Sequence, residues 1–263
     1  MQLDTFKTML VAREAGVTTV TLNNPDKLNA LDPQAERELG RFFYEVATDP
    51  QTNVIVLTGA GRAFSAGGSL DNMRHHIGQP DEFYASNVHS KRTVFNMLDC
   101  PKPIIAKVNG HAMGLGATVA LLADVVFASS QAKFADPHVK MGFTSGDGGA
   151  FLWPFLLGGL AKHYLMTGEP ILATDAERLG MIYRALPPAE LDAAVAEYAL
   201  RLASGPLRAI QTSKLTANLI LKQLATLTMD AGLAYEALTN HSADHLEAVN
   251  AFADKRPAAF TGK

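Results

Sequence analysis

The chain has 263 residues, a formal net charge of −3 and a single cysteine, Cys100. That balance offers no basic field for nucleic acid or an anionic membrane. One cysteine excludes an intrachain disulfide and any multi-cysteine metal site, so no metal is expected and a reducing, cytoplasmic setting is. No apolar run approaches the ~18 residues of a membrane span, and residues 1–20 carry Asp4, Arg13 and Glu14 where a signal peptide would be apolar.

Residues 6–13 and 17–22 are β-rich runs broken by Ala15-Gly16, which predicts a hairpin. Asn23-Asn24-Pro25-Asp26 is a turn cluster. Asp32-Pro33 predicts a helix start, with Asp32 as the cap and Leu39, Phe42, Phe43 and Val46 following at helical spacing. Residues 53–58 read as a short buried strand ended by Gly59-Ala60-Gly61, residues 62–80 as a mobile surface loop carrying His75 and His76, and residues 81–99 as a helix.

Residues 103–128 organise the chain. Pro103 opens an apolar run, Ile104 to Val108, suited to a strand buried on both faces. Asn109-Gly110 ends it, and Gly114 and Gly116 allow a tight turn with close backbone approach. Leu115 to Ala123 is apolar all round and predicts a short helix without a solvent face. Its first-turn N–H groups have no intrahelical partner, which suits an anion or a developing oxyanion.

Residues 131–149 read as irregular, with helices around 150–157 and 160–167, another capped by Thr174-Asp175-Ala176-Glu177, and a last strand over Ile182 to Leu186. Beyond Pro187-Pro188 the pattern is helical throughout. The alternation predicts an α/β core, residues 1–196, with a helical appendage, residues 197–263. The appendage carries Leu219, Ile220, Leu224, Leu227, Met229, Leu233 and Leu238, more apolar surface than a lone surface helix needs, so an oligomer is expected.

Two glycine turns stand out, Gly59-Ala60-Gly61-Arg62-Ala63-Phe64-Ser65-Ala66-Gly67-Gly68 and Val108-Asn109-Gly110-His111-Ala112-Met113-Gly114-Leu115-Gly116. Neither is a dinucleotide fingerprint, because Phe64 and Val119 occupy the place of its third glycine. Together they resemble the paired signatures of the crotonase superfamily, the enoyl-CoA hydratase/isomerase family. The likeness extends to Asn24-Pro25-Asp26-Lys27-Leu28-Asn29-Ala30-Leu31, to Tyr164-Leu165-Met166-Thr167-Gly168 and to the ending Phe252-Ala253-Asp254-Lys255-Arg256-Pro257.

The resemblance implies a spiral core of ββα turns, a C-terminal helical trimerisation domain and a homotrimer or dimer of trimers. It implies an acyl-CoA thioester substrate, with coenzyme A as part of that substrate and no separate cofactor. It places an oxyanion hole at the N–H groups of Gly68 and Leu115, sets Leu28 and Ala66 beside the adenine, and offers Lys27 and a neighbouring tail's Lys263 to the phosphates. Two preorganised donors are worth several kcal/mol to a developing enolate.

Hydratases of that family use two glutamates. The matching positions here are Thr118 and His138, so both carboxylates are missing. Asp136-Pro137-His138 through Gly146-Asp147-Gly148-Gly149 offers a replacement, an imidazole and a carboxylate in one loop. A neutral His138, with Asp147 fixing its tautomer, is expected to take a proton from water at neutral pH. This loop resembles a subgroup that includes the oxocamphor-type β-diketone hydrolases. Glu236, in Ala231-Gly232-Leu233-Ala234-Tyr235-Glu236, falls where that subgroup has an acidic residue, although it also reads as an ordinary helix-surface or interface carboxylate. Asp147 also reads as a helix cap, and His241 and His245 as a solvated or interface face. Met73, Phe83, Phe143 and Trp153 are candidate pocket residues. Three functions follow: enoyl-CoA hydration or isomerisation through His138 and Asp147, carbon–carbon hydrolysis of a β-diketone, or acyl-CoA binding without catalysis.

Overall fold

The computed structural model describes residues 1–263 apart from the Pro80 side chain. The strands are β1 (Met9–Glu14), β2 (Val17–Leu22), β3 (Val54–Gly59), β4 (Ala63–Ser65), β5 (Ile104–Val108), β6 (His111–Met113), β7 (Val125–Ser129), β8 (Lys133–Ala135), β9 (Ile171–Leu172) and β10 (Arg184–Leu186). The helices are α1 (Pro33–Val46), α2 (Leu70–His76), α3 (Pro80–Asp99), α4 (Leu115–Leu121), α5 (Gly149–Leu157), α6 (Ala161–Thr167), α7 (Ala173–Arg178), α8 (Pro188–Ala203), α9 (Leu207–Asn240) and α10 (Ala243–Ala253).

A six-stranded sheet runs β1-β2-β3-β5-β7-β10 and a four-stranded sheet runs β4-β6-β8-β9. The expected hairpin pairs β1 with β2 antiparallel; from β2 onward the larger sheet is parallel. The strand pairs β3/β4, β5/β6 and β7/β8 each place one strand in the large sheet and the next in the small one. This repeat turns the chain as a spiral, and it brings the ends of β4, β6 and β8 side by side.

The period-two alternation of β3 explains its complete burial. Ile55 and Leu57 enter the main core with Phe42, Phe43 and Leu39 of α1, while Val54 and Val56 meet Leu191, Val195 and Ala199 of α8. Phe42 and Phe43 are fully buried and meet edge to face, each contributing roughly 1.5–3 kcal/mol of burial. At the start of α1, Asp32 accepts from the Ala35 N–H at 2.8 Å, the cap read from the sequence. Position 196/197 lies within α8, which itself covers the sheet.

The 34-residue α9 is anchored by its own polar groups. Lys214 pairs with Asp124 at 2.8 Å and donates to the Lys102 carbonyl, and Asn218 donates to the Leu98 carbonyl. These bonds fix where the far end of α9 carries Glu236 and Asn240. Leu219, Ile220, Leu227 and Leu238 remain exposed along the same helix.

Several local expectations are corrected. Residues 62–80 contain β4 and α2, and residues 131–149 contain β8. Strands of three residues are shorter than the window in which alternation shows. The helix at Thr174 begins earlier, at Ala173, without a side-chain cap. No helix among the described residues is long and apolar enough to cross a membrane.

Candidate active site

One wall of the central pocket is backbone. Asn29, in the left-handed region at φ 54°, donates through Nδ2 to the Ala60 and Ala63 carbonyls. Ser65 donates to the Asn29 carbonyl at 2.8 Å and accepts from the Gly67 N–H at 3.2 Å. Gly67 has φ 85°, and its carbonyl accepts from the Leu31 N–H at 2.7 Å. The turn is thus tied at every point except the next amide, Gly68. On the neighbouring turn Gly114 adopts φ 51° and donates to the Ala135 carbonyl, which leaves Leu115 to open α4. Gly68 and Leu115 line the same pocket, and neither N–H has a hydrogen-bond partner among the described residues. Every residue of α4 is buried, as the apolar run predicts.

The opposite wall is made of side chains. His138 opens a 3₁₀ turn, His138–Met141, just beyond β8. Its Nδ1 is hydrogen-bonded to Oδ1 of Asp136, whose Oδ2 accepts from the Ser145 hydroxyl at 2.6 Å. Its Nε2 lies 3.4 Å from Oδ2 of Asp147. The ring edge packs on Phe143, which packs in turn on His245, with centroids 4.9 and 4.8 Å apart. Cε1 stands only 3.6 Å from where a Cβ on Gly114 would be, so the imidazole abuts the oxyanion turn.

Asp147 is both a structural and a pocket residue. Its Oδ1 accepts from the Thr118 hydroxyl at 3.2 Å and from the Gly149 N–H at 3.5 Å, at the start of α5. Its Oδ2 is left facing His138. Thr118, fully buried, therefore positions the Asp147 carboxylate.

Electrostatics revise the protonation expected of His138. Burial disfavours its charge, but the Asp136 and Asp147 carboxylates outweigh burial and hold its pKa well above the ordinary imidazole value. Burial likewise opposes the charge of Asp136, and the His138 imidazolium with the Ser145 hydroxyl holds that carboxyl below its usual range. The two carboxylates thus favour the imidazolium over the neutral base expected above. Asp136, His138 and Asp147 bring ligand atoms within 4.8 Å of one another, but each carboxylate addresses a different ring nitrogen. That is the geometry of a proton relay.

Glu236 is not a surface or interface carboxylate. It is 6% exposed and lines the pocket. Burial pushes its pKa up to about 8; His138 opposes the rise and Asp147 adds to it. Two residues that shape the site were missed, Asp136 behind the imidazole and Glu36 in the pocket wall. Asp136, two residues before His138 at a strand end, carries a signal in its spacing. Glu36 sits three residues before Leu39, at the inward edge of α1; it is half-buried in the pocket wall, accepts from the Ser90 hydroxyl at 3.1 Å, and burial raises its pKa to about 8.

The other candidates divide. Met73, Phe83 and Phe143 line the pocket, whereas Trp153 is fully buried in the core. His76 belongs to α2 and is buried at the pocket against Phe83, not in a loop. His245 is fully buried and its Nδ1 meets the Met141 carbonyl at 2.6 Å, so it is neither a solvated nor a surface histidine. Ala66 lies at the pocket mouth, and its N–H donates to the Leu28 carbonyl at 2.9 Å. Lys27 is exposed and paired with Asp71 at 2.7 Å. Lys263 lies outside the central pocket, where its carbonyl accepts from the Asp244 N–H at 3.2 Å.

Comparison with known proteins bears on this arrangement. The family model described as enoyl-CoA hydratase/isomerase matches residues 12–263. The chain is 33% identical to a 1,2-epoxyphenylacetyl-CoA isomerase of Escherichia coli over 253 residues, covering 95% of this chain and 97% of that protein. It is 33% identical to a 2,3-dehydroadipyl-CoA hydratase of the same species, covering 97% and 99%. Among solved structures, an enoyl-CoA hydratase/isomerase from Mycobacterium paratuberculosis superposes with a TM-score of 0.88 at 31% identity, over 92% of this chain and 97% of that one. A β-diketone hydrolase from the cyanobacterium Anabaena superposes with a TM-score of 0.84 at 28% identity, over 90% and 95%. The glycine turns, the spiral of paired strands and these full-length matches together establish that the chain belongs to the enoyl-CoA hydratase/isomerase family, within the crotonase superfamily.

Proposed function

We propose that this crotonase-family enzyme acts on an acyl-CoA thioester through an enolate held by the Gly68 and Leu115 N–H groups, with His138 and Asp147 replacing the two usual glutamates. One observation carries the reading. Nε2 of His138 and Oδ2 of Asp147, 3.4 Å apart, share a pocket with two unpartnered amides. An acid and a base side by side opposite an oxyanion hole suit addition of water across an enoyl double bond. Asp147 takes a proton from water as the oxygen bonds to the β-carbon. The double-bond electrons move to the α-carbon and the thioester oxygen, and the imidazolium gives its Nε2 proton to the α-carbon. The proton on Asp147 then crosses back to His138, and the pair is reset. Asp136 touches no substrate; it holds the ring and favours its charge. Isomerisation uses the same two groups to remove and return a carbon-bound proton.

In this reading Leu28 and Ala66 meet the adenine, and Lys27, with Lys263 from a neighbouring subunit, meets the phosphates. The exposed leucines of α9 support association between copies, which this proposal takes to be a homotrimer or dimer of trimers, with a cytoplasmic setting as part of the same reading. A second reading, hydrolysis of a β-diketone, is favoured by the histidine–carboxylate pair and by likeness to the Anabaena enzyme's structure. Water deprotonated by Asp147 would attack one carbonyl, the carbon–carbon bond would break, and His138 would protonate the departing enolate. A binding protein without catalysis fits less well, because both groups address the pocket.

The test is calorimetric titration with crotonyl-CoA, acetoacetyl-CoA and a free cyclic β-diketone, with mass-spectrometric product analysis of each mixture. Addition of water, 18 Da, to the enoyl ester supports the proposal. Cleavage of the diketone without CoA-ester binding replaces it with the second reading.

A further inference from the structure

The acyl pocket is unusually polar for a site that would hold a hydrocarbon. Beyond the catalytic pair it is lined by Glu36 on α1, Asn87 and Ser90 on α3, and Glu236 and Asn240 on α9. Four of these are more than nine-tenths buried, with exposures of 8% for Asn87, 8% for Ser90, 6% for Glu236 and 2% for Asn240. Two buried oxygens, Oε2 of Glu236 and Oδ1 of Asn240, have no hydrogen-bond partner among the described residues. They stand one helical turn apart on α9, and both residues face the same pocket.

We propose that this wall receives a neutral hydroxyl group on the acyl chain, so that the substrate is a hydroxylated acyl-CoA and not a plain alkyl or aryl one; the inference rests on the thioester reading above. A hydroxyl can donate to an oxygen of this wall, such as Ser90 Oγ, and accept from the Asn87 amide, so it serves donors and acceptors alike. A hydrocarbon chain would leave these polar groups facing apolar surface, buried and unpaired. A second carboxylate on the acyl group would have to be desolvated in a space that also holds Asp147. An ammonium group would be buried beside the imidazolium of His138. Burial holds the Glu36 and Glu236 carboxyls at pKa values of about 8, which keeps this wall largely uncharged at neutral pH, as a neutral ligand group requires.

The test measures affinity for saturated CoA esters matched in size: hexanoyl-, 6-hydroxyhexanoyl-, 6-aminohexanoyl- and adipyl-CoA, with phenylacetyl-CoA and its 3- and 4-hydroxy forms. At least one hydroxylated ester is expected to bind about tenfold or more tightly than its parent. That ratio is expected to fall towards one in Ser90→Ala and in Asn240→Leu. Equal affinities for parent and hydroxylated esters overturn the inference and leave the thioester reading intact. Preference for the adipyl or amino ester overturns it in favour of a charged group. A hydroxyl preference that survives both substitutions overturns the assignment to this wall. Binding of no CoA ester at all overturns the thioester reading, and this inference with it.

Discussion

The two walls of the pocket are made differently. The oxyanion side is backbone, held by glycines whose surroundings leave no space for a side chain. A Cβ on Gly67 would stand 2.6 Å from the Met113 carbonyl oxygen, and one on Gly116 would stand 2.6 Å from the Ser65 Cβ. The facing side is made of side chains, His138, Asp147, Glu236 and Glu36, carried on a 3₁₀ turn, a helix start and two long helices. Changing the first side deforms the fold. Changing the second leaves that backbone in place and alters which protons are available. In the proposed function the stabilised enolate belongs to the rigid wall, and the choice of reaction belongs to the replaceable one.

Substitutions on each wall sharpen that contrast. His138→Ala should lower turnover by about 10²- to 10⁴-fold while leaving CoA-ester affinity nearly unchanged, measured by steady-state kinetics and calorimetry. Gly67→Ala should act on the other side, reducing turnover by about 10²- to 10³-fold and lowering thermal stability as well, because the added methyl meets backbone at a positive φ. A loss of CoA-ester affinity in His138→Ala as large as its loss of turnover would dissolve the distinction.

Asp136→Asn should give a smaller loss that depends on pH. In the proposed mechanism the active form carries the imidazolium, so the rate should fall as pH rises through the His138 pKa. Removing the carboxylate that raises that pKa most moves this fall to lower pH. A pH profile of kcat/KM reads the shift; an unchanged alkaline limb would contradict the ion pair.

Glu236 gives a stability prediction of opposite sign to that of an ordinary salt-bridged carboxylate. Its folded pKa, about 8, lies above the usual 4.5, so the folded state binds the extra proton between those values and stability falls as pH rises from about 4.5 to about 8. Glu236→Gln should flatten that slope, read by thermal melts across the range. The smallest effect is expected at Lys27. Its pair with Asp71 is exposed on both partners and contributes little to stability, so Lys27→Ala should change the CoA-ester Kd only a few-fold.

Much of the frame was legible in the sequence because it is written in local patterns. The cap at Asp32, the hairpin at Ala15-Gly16 and the buried α4 each follow from a few adjacent residues. What eluded the sequence is three-dimensional. Asp136 and Asp147 both neighbour His138 in the loop, and only the fold shows that they take opposite edges of one ring. Glu36 comes from a helix whose apolar face was plain, while its position at the edge of that face, under Ser90 of α3, depends on how the two helices cross. Glu236 lies on a long helix that carries both buried and exposed apolar residues, and the docking of that helix through Lys214 and Asn218 decides that its carboxyl is inside.

The most direct test of the central claim is hydrogen exchange at the α-carbon of a saturated acyl-CoA in deuterium oxide, followed by mass spectrometry in wild type and His138→Ala. The account predicts deuterium incorporation by the wild-type enzyme and loss of most of it in the variant, at equal ligand occupancy. Exchange that proceeds equally in both, or saturating binding with no exchange in either, would contradict an enolate served by His138 and Asp147.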